Sequence, residues 1–324
     1  MSIANKLEYL QETKNQIKTA ITEKGVTISD TDTFRSYANK IRSIEAGGTT
    51  SSDDWQPEPD WWDIETILEN DTEDYAQKII CLLTDELDDG ATTNTVQGGE
   101  KYKLSDGQVV EQSASSSLDI TNKFDTTQDK VCNKGYKTRY IIYYRNSDFG
   151  SNITLPNNVI YVIFSGVKFS STCFSSKRFL QAIKFVNDTK FTSINMTNMF
   201  SNCYELKQIP NMDTSNVTSM SSMFLSCSNL KNILNLNMNK VTNANNMLAN
   251  FNKLINIQNI YNIKVNISFS NSSYLNHSTL LRILNALVDL TDQTTQTLTL
   301  GSTNLAKLTD EEKAIATNKN WTLA

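Results

Sequence analysis

The sequence predicts an α+β modular chain: an N-terminal helical segment, a small mixed α/β domain, a solenoid of 24-residue repeats and a C-terminal α/β cap. Three observations lead there. Apolar residues recur every 24 positions between 199 and 270. A seam of apolar residues at helical spacing runs through 1–24. Short apolar runs bounded by turn residues fill the stretches between and after them.

The repeat is the sharpest signal. Met199-Phe200-x-x-Cys203 returns as Met223-Phe224-x-x-Cys227 and again as Met247-Leu248-x-x-Phe251. Leu206, Leu230 and Leu254 follow in register, then Ile209, Ile233 and Ile257. Met212, Leu236 and Ile260 come next, and Val217, Val241 and Val265 close the unit. A period in the twenties with Leu or Ile about every three residues marks a leucine-rich-repeat solenoid. A lone coil cannot bury enough apolar surface to offset its ordering entropy, so the coils must stack. Asn211, Asn235 and Asn259 form one polar column. Two readings are open for it: buried amides that bond the backbone at each bend, or ordinary turn residues.

Met-Phe-x-x-Cys, then Leu-x-x-Ile, then Asp213-Thr214-Ser215-Asn216-Val217-Thr218-Ser219-Met220 resembles the BspA-type leucine-rich repeat. The match is sharp at 199–222, good at 223–246 and weaker at 247–270, where Phe251 replaces the Cys. Upstream, 175–198 keeps Phe179, Phe185 and Met196 in register. Repeats of this kind occur in bacterial surface proteins and in fibres or adhesins of phages that infect gut bacteria. The resemblance implies a recognition surface without chemistry.

In the N-terminal segment, Ile3, Leu7, Leu10, Lys14, Ile17 and Ile21 step by four and three, a heptad seam with Lys14 at a core position. Gly25 ends that helix, and Asp32 or Thr33 caps a second with Phe34, Tyr37, Ala38, Ile41 and Ile44 on one face. The seam either zips protomers into a homo-oligomer or packs as an intramolecular hairpin. On the first reading Ile3, Leu7, Leu10, Ile17 and Ile21 are the oligomerisation or docking residues. Leu-x-x-Thr-Lys-x-x-Ile-x-x-Ala-Ile at 10–21, with Lys24-Gly25-Val26 and Thr33-Phe34-x-x-Tyr37-Ala38-x-x-Ile41, is similar to the start of phage tail-associated structural proteins. That resemblance implies that 1–46 docks on other virion proteins. Residues 1–24 lack the basic start and apolar core of a secretion signal, which suits assembly in the host cytoplasm and a place in the virion.

Residues 47–60 read as a linker, with Gly47, Gly48, Pro57 and Pro59. The small mixed α/β domain spans 61–148. Ile64, Ile67 and Leu68 suit a short helix, 78–84 a buried strand, Ser105-Asp106-Gly107 a turn, and 136–144 a second strand. The runs 60–68 and 135–141 resemble the segment that precedes the solenoid in phage proteins of this type, which makes 61–148 a cap and spacer. The solenoid spans 149–272, with 159–164 as its first strand. The cap, 273–324, holds a helix from Ser278, a strand at 296–300, a capping box at Thr309 and Glu312, and a last strand at Trp321 and Leu323. The runs 296–308 and 321–324 resemble the terminal cap of phage BspA-type proteins.

Charge is unevenly spread. Residues 53–90 hold fourteen Asp and Glu against one Lys, whereas 151–270 hold ten Lys and Arg against three acids. Such a split suggests different surfaces for different partners. Lys207 and Lys231 share one repeat column and Lys240 and Lys264 another, a candidate edge for acidic cell-surface glycans, with plain solubility as the competing explanation. Trp61, Trp62 and the tyrosines of 136–144 are either core residues or platforms for sugar rings.

The search for chemistry is negative. His277 is the single histidine, and no nucleophile elbow or phosphate loop accompanies it. Five cysteines include no CxxC pair, so no zinc site is expected. Cys203 and Cys227 fall on adjacent coils, either bridged or as free buried thiols. Asp-Glu-Leu-Asp-Asp at 85–89 lacks calcium-loop spacing. No cofactor, metal, nucleic acid or membrane insertion is expected. The expectation is a non-enzymatic virion protein, a tail or head fibre whose solenoid recognises a bacterial surface glycan or protein. The alternative is a bacterial cell-surface leucine-rich-repeat adhesin. A glycan hydrolase needs two carboxylates in one cleft, and the solenoid offers only Asp188, Glu205 and Asp213.

Overall fold

The computed structural model describes residues 55–86, 93–170 and 172–324. The helical seam with Ile3, Leu7, Leu10, Ile17 and Ile21, most of the linker and positions 87–89 of the acidic run lie outside the described residues. Residues 57–324 form one compact unit. Its elements begin with α1 (Ile64–Glu69), β1 (Gln77–Thr84), β2 (Thr95–Gln97), β3 (Lys101–Leu104), β4 (Val109–Glu111), β5 (Ser117–Asp119) and β6 (Lys130–Val131). Then follow β7 (Lys137–Arg145), β8 (Val159–Ser165), β9 (Lys168–Phe169), β10 (Ala182–Val186), β11 (Lys190–Phe191), β12 (Asn232–Asn237), β13 (Asn256–Tyr261) and β14 (Ile267–Ser268). The chain closes with α2 (His277–Ala286), β15 (Gln296–Thr299), α3 (Ser302–Leu305), α4 (Asp310–Thr317) and β16 (Trp321–Leu323).

The unbroken apolar run Ile79-Ile80-Cys81-Leu82-Leu83 becomes β1, the buried centre of the main sheet. It pairs antiparallel with β7 on one side and with β8 on the other. A strand enclosed this way needs no polar face, which is why its sequence does not alternate. The order is β10-β8-β1-β7-β3-β4, with β6 also beside β7. At β8 the pairing changes from antiparallel to parallel, because β10 follows β8 in the same direction. The stacked turns grow from that edge, so the 61–148 region and the first repeat share one sheet.

From 196 to 250 the turns stack through one set of backbone bonds. The N–H groups of Met196, Asn198, Phe200 and Asn202 donate to the carbonyls of Ser219, Ser221, Met223 and Leu225 at 2.8–3.0 Å. Those of Met220, Ser222, Phe224 and Ser226 donate onward to Asn243, Asn245, Met247 and Ala249 at 2.9 Å. Between these positions the N–H groups close tight local turns, as Met199 N does on Met196 O. Such turns need left-handed residues, and Asn198, Asn202, Ser222, Ser226, Asn246 and Asn250 have φ of 53–63°. Asn tolerates that region far better than branched residues do. Inside, the rings of Phe174, Phe200, Phe224 and Phe251 line up at centroid spacings of 5.4, 5.5 and 6.1 Å. In the fourth turn the ring comes from the Cys column and Leu248 fills the Phe column, so the two positions exchange bulk.

The expected fold class is corrected here. Among the described residues strands in several sheets outweigh a few short helices, and the stacked turns are not a leucine-rich-repeat solenoid. A leucine-rich repeat carries a strand plus a helix or 3₁₀ turn in every unit. Here the segment after each Met-Phe is a chain of tight turns set by left-handed Asn and Ser. Among the three repeats of 199–270, β12 and β13 pair as full strands. Pro210 sits where Leu234 and Gln258 stand in the later units, and its missing N–H leaves the strand position of the 199–222 unit with the bridge of Ala182 to Gln208 in place of a full strand. Periodic apolar columns specify that turns stack; they do not specify the backbone between the columns.

The Asn column also differs from both readings. Asn211 and Asn259 are exposed and Asn235 is half-buried on the outer strand face. Buried Thr214 serves the bend instead: its Oγ1 accepts from Asn237 N at 2.7 Å and donates to Asn237 O at 3.2 Å. In the C-terminal region β14, β15 and β16 pair in parallel, and the capping box at Thr309 and Glu312 forms. Asn320 takes φ 59°, and Trp321 Nε1 donates to Val288 O at 2.8 Å.

Candidate recognition surface

Apolar residues at 209, 212, 233, 236, 257 and 260 point inward, which turns the residues between them outward. The outer face therefore carries Gln208, Asn211, Leu234, Asn235, Asn259 and Tyr261, with Leu234 36% and Tyr261 47% exposed. Lys231 precedes β12 and Lys240 follows it, so the two lysine columns lie at opposite ends of the strands, about 20 Å apart at ~3.3 Å per residue over six residues. The structure therefore does not gather Lys207, Lys231, Lys240 and Lys264 at one point. All four are exposed. Lys207 Nζ donates to Gln181 Oε1 at 2.9 Å, and Lys240 Nζ donates to Asn216 Oδ1 at 2.7 Å in the turn below.

The same 24-residue register places Lys253 over Asn229 and Glu205, a column the sequence reading left out. Lys253 Nζ donates to Asn229 Oδ1 at 2.6 Å, and Asn229 Nδ2 reaches Glu205 Oε2 at 3.3 Å. The supposed separation of acidic and basic regions is partly internal pairing. Glu65 of α1 accepts from Tyr161 at 2.7 Å and pairs with Lys184 of β10. Lys177 is buried, and its ammonium donates to Leu155 O at 2.8 Å and Asn157 Oδ1 at 2.9 Å.

The groups considered for chemistry have structural partners. His277 Nε2 lies 2.9 Å from Glu312 Oε1 and ties α2 to α4. The Thr309 N–H, and then His277, hold the Glu312 carboxyl below its ordinary value. Cys203 and Cys227 are free thiols. Each donates to the carbonyl of an aromatic residue one turn back, Phe174 at 2.9 Å and Phe200 at 3.0 Å. Burial pushes the Cys203 thiol up to about 12 and the Cys227 thiol in the same direction. No group of three or more potential metal ligands occurs among the described residues. Trp61 is buried and Trp62 stands edge-on to Tyr140 at 5.2 Å, so these rings are packed in the structure. No helix among the described residues is long and apolar enough to cross a membrane.

Residues 167–280 match the family model described as Mycoplasma protein of unknown function, DUF285. The match spans the stacked turns and the start of α2. No curated protein and no solved structure matches the chain.

Proposed function

We propose that this chain is a non-enzymatic structural protein of a bacteriophage virion, a tail or head fibre component whose stacked turns recognise the surface of the bacterial host. The observation that carries the reading is the outer strand face, which presents Gln208, Asn211, Asn259 and the half-buried Asn235 between two lysine columns, on turns whose backbone bonds repeat from 196 to 250. Rigid elements presenting adaptable polar groups suit binding. The sequence resemblances at 1–46 and at the repeats support the virion. In this reading 1–46 docks on other virion proteins and joins protomers, and the stacked turns meet a surface glycan or protein.

Immunogold electron microscopy of a lysate, with antibody against residues 150–324, tests it. Gold on virus particles is the expected result, and its position separates tail from head fibre. Gold confined to cell envelopes would overturn the virion reading in favour of a cell-surface adhesin.

A further inference from the structure

We infer that the cleft between β13 and α2 is a binding subsite for one neutral sugar ring. The cleft has a volume of about 370 Å³, within the range of small-molecule sites. Its apolar base includes Ile260 and Leu287, both buried. Its rim carries the half-exposed ring of Tyr261 and two exposed amides, Asn262 and Asn285, the latter donating one N–H to Leu281 O at 2.9 Å and keeping a second N–H and its carbonyl oxygen for a ligand. A pyranose offers an apolar C–H face and vicinal hydroxyls that both donate and accept. An aromatic ring meets the first, and a carboxamide, with donor and acceptor on one group, meets the second.

Arg282 is a fixed part of the cleft. Its five N–H groups are already engaged: Nε with Ser278 O, Nη1 with Ile257 O and Gln258 O, and Nη2 with Ser278 Oγ and Thr279 Oγ1. The guanidinium is held against the first half of β13 by these bonds, so its N–H groups are committed to the protein and the ligand's hydroxyls meet the rim amides instead. No carboxylate and no histidine lines the cleft, so the sugar is held and not cleaved.

Both sides of the cleft are fixed before any ligand arrives. Ile263 N donates to Ala286 O and Val288 N donates to Ile263 O, each at 2.9 Å. Tyr261 O accepts from Met238 N at 2.9 Å, which holds the tyrosine's backbone whatever its side chain. Preformed walls lower the entropic cost of binding. The inference takes its biological meaning from the recognition reading, but its test does not depend on virion attachment.

The test is saturation-transfer NMR on the full chain with the methyl glycosides of glucose, galactose, mannose, N-acetylglucosamine and N-acetylgalactosamine. At least one should receive saturation, strongest at the ring C–H protons of one face. Tyr261→Ala should reduce that transfer at least fivefold, Tyr261→Phe should keep it, and Asn285→Ala should weaken it. Circular dichroism checks that each variant is folded, which the side-chain-independent bond at Tyr261 O favours. No transfer to any of the five, or transfer unchanged in folded Tyr261→Ala, overturns the subsite. Host-cell binding that survives in Tyr261→Ala would then leave the recognition reading standing on the outer strand face alone.

Discussion

The main sheet and the stacked turns bury the same kinds of side chain but hold them in opposite ways. In the sheet, β1 is locked between two antiparallel partners drawn from residues 137–145 and 159–165. Ion pairs seal its rim, such as Lys78 to Asp71 at 2.6 Å and Lys101 to Glu73 at 2.7 Å. In the stack, each turn between 196 and 250 makes its inter-turn backbone bonds to the turns above and below, most of its N–H groups donating onward and a few, such as those of Thr218 and Thr242, donating back. A fault in the sheet is felt by the whole sheet. A fault in the stack divides it into two shorter pieces.

The largest expected effect breaks that comparison open. Phe224 is fully buried between the rings of Phe200 and Phe251. Phe164 is equally buried in the sheet, stacked on Phe169 at 4.7 Å. Either one changed to Ala should cost about 3–5 kcal/mol. The two should differ in cooperativity. Phe164→Ala should shift one sharp urea transition, whereas Phe224→Ala should lower the m-value or split the curve, because the turns beyond it lose their support. A single transition with unchanged m for Phe224→Ala would show that sheet and stack unfold as one unit.

A smaller effect probes the backbone of the stack. Asn202 has φ 61° and donates its N–H to Leu225 O at 2.8 Å. Asn202→Ala should cost about 1–2 kcal/mol, the penalty of a Cβ in the left-handed region without a compensating local bond. Asn202→Gly should cost less, since glycine enters that region freely. Thermal melts of the pair read the difference directly. Equal losses would move the stabilising role from the backbone conformation to the Asn side chain.

These residues also show what the sequence made legible. The Met, Phe, Leu, Ile and Val columns identified the stack and its period, because burial imposes spacing on side chains. The capping box at Thr309 and the turn at Ser105-Asp106-Gly107 were legible because each needs only a few adjacent residues. The fold class was not. Whether a 24-residue unit runs as a strand with a helix or as successive tight turns depends on φ at Asn198, Asn202 and their repeats, and Asn or Ser at those positions reads equally well as a loop. The period-four recurrence of Asn and Ser within each turn was the available signal. Of the candidate site, the lysine columns were readable from register, but their separation depends on strand length. The cleft at Tyr261 joins β13 to α2, a contact that no local pattern announces.

A hydroxyl separates the stack's polar bonding from its apolar packing. Thr214 is 1% exposed and both accepts from and donates to the backbone of Asn237. Thr214→Val keeps the shape and leaves the Asn237 N–H without this acceptor, at an expected cost of about 1–3 kcal/mol. Thr214→Ser should retain most of the stability. If Val and Ser behave alike in a urea titration, packing and not the bond holds that bend.

The smallest effect is the pH dependence, and here the two regions should differ in sign. In the stack, the N–H and hydroxyl of Ser215 hold the exposed Asp213 carboxyl below its ordinary value. A lowered folded pKa gives stability that is present above the unfolded value and lost as pH falls through the folded one. At the sheet, burial raises the Asp129 carboxyl even though Arg139 beside it pulls the other way. Asp129 Oδ1 and Arg139 Nε are both buried without a hydrogen-bond partner, which fits a desolvated pair. A raised folded pKa has the reverse consequence: the folded state takes up the proton first, so stability is gained as pH falls through the folded value toward the unfolded one. Over roughly pH 3 to 6, Asp213→Asn should therefore flatten the acid loss of stability, and Asp129→Asn should steepen it. Urea midpoints measured across that window decide it. Changes of the same sign in both variants would mean that the Arg139 attraction outweighs burial at Asp129, and that its pair works as a stabilising ion pair like those at Lys78 and Lys101.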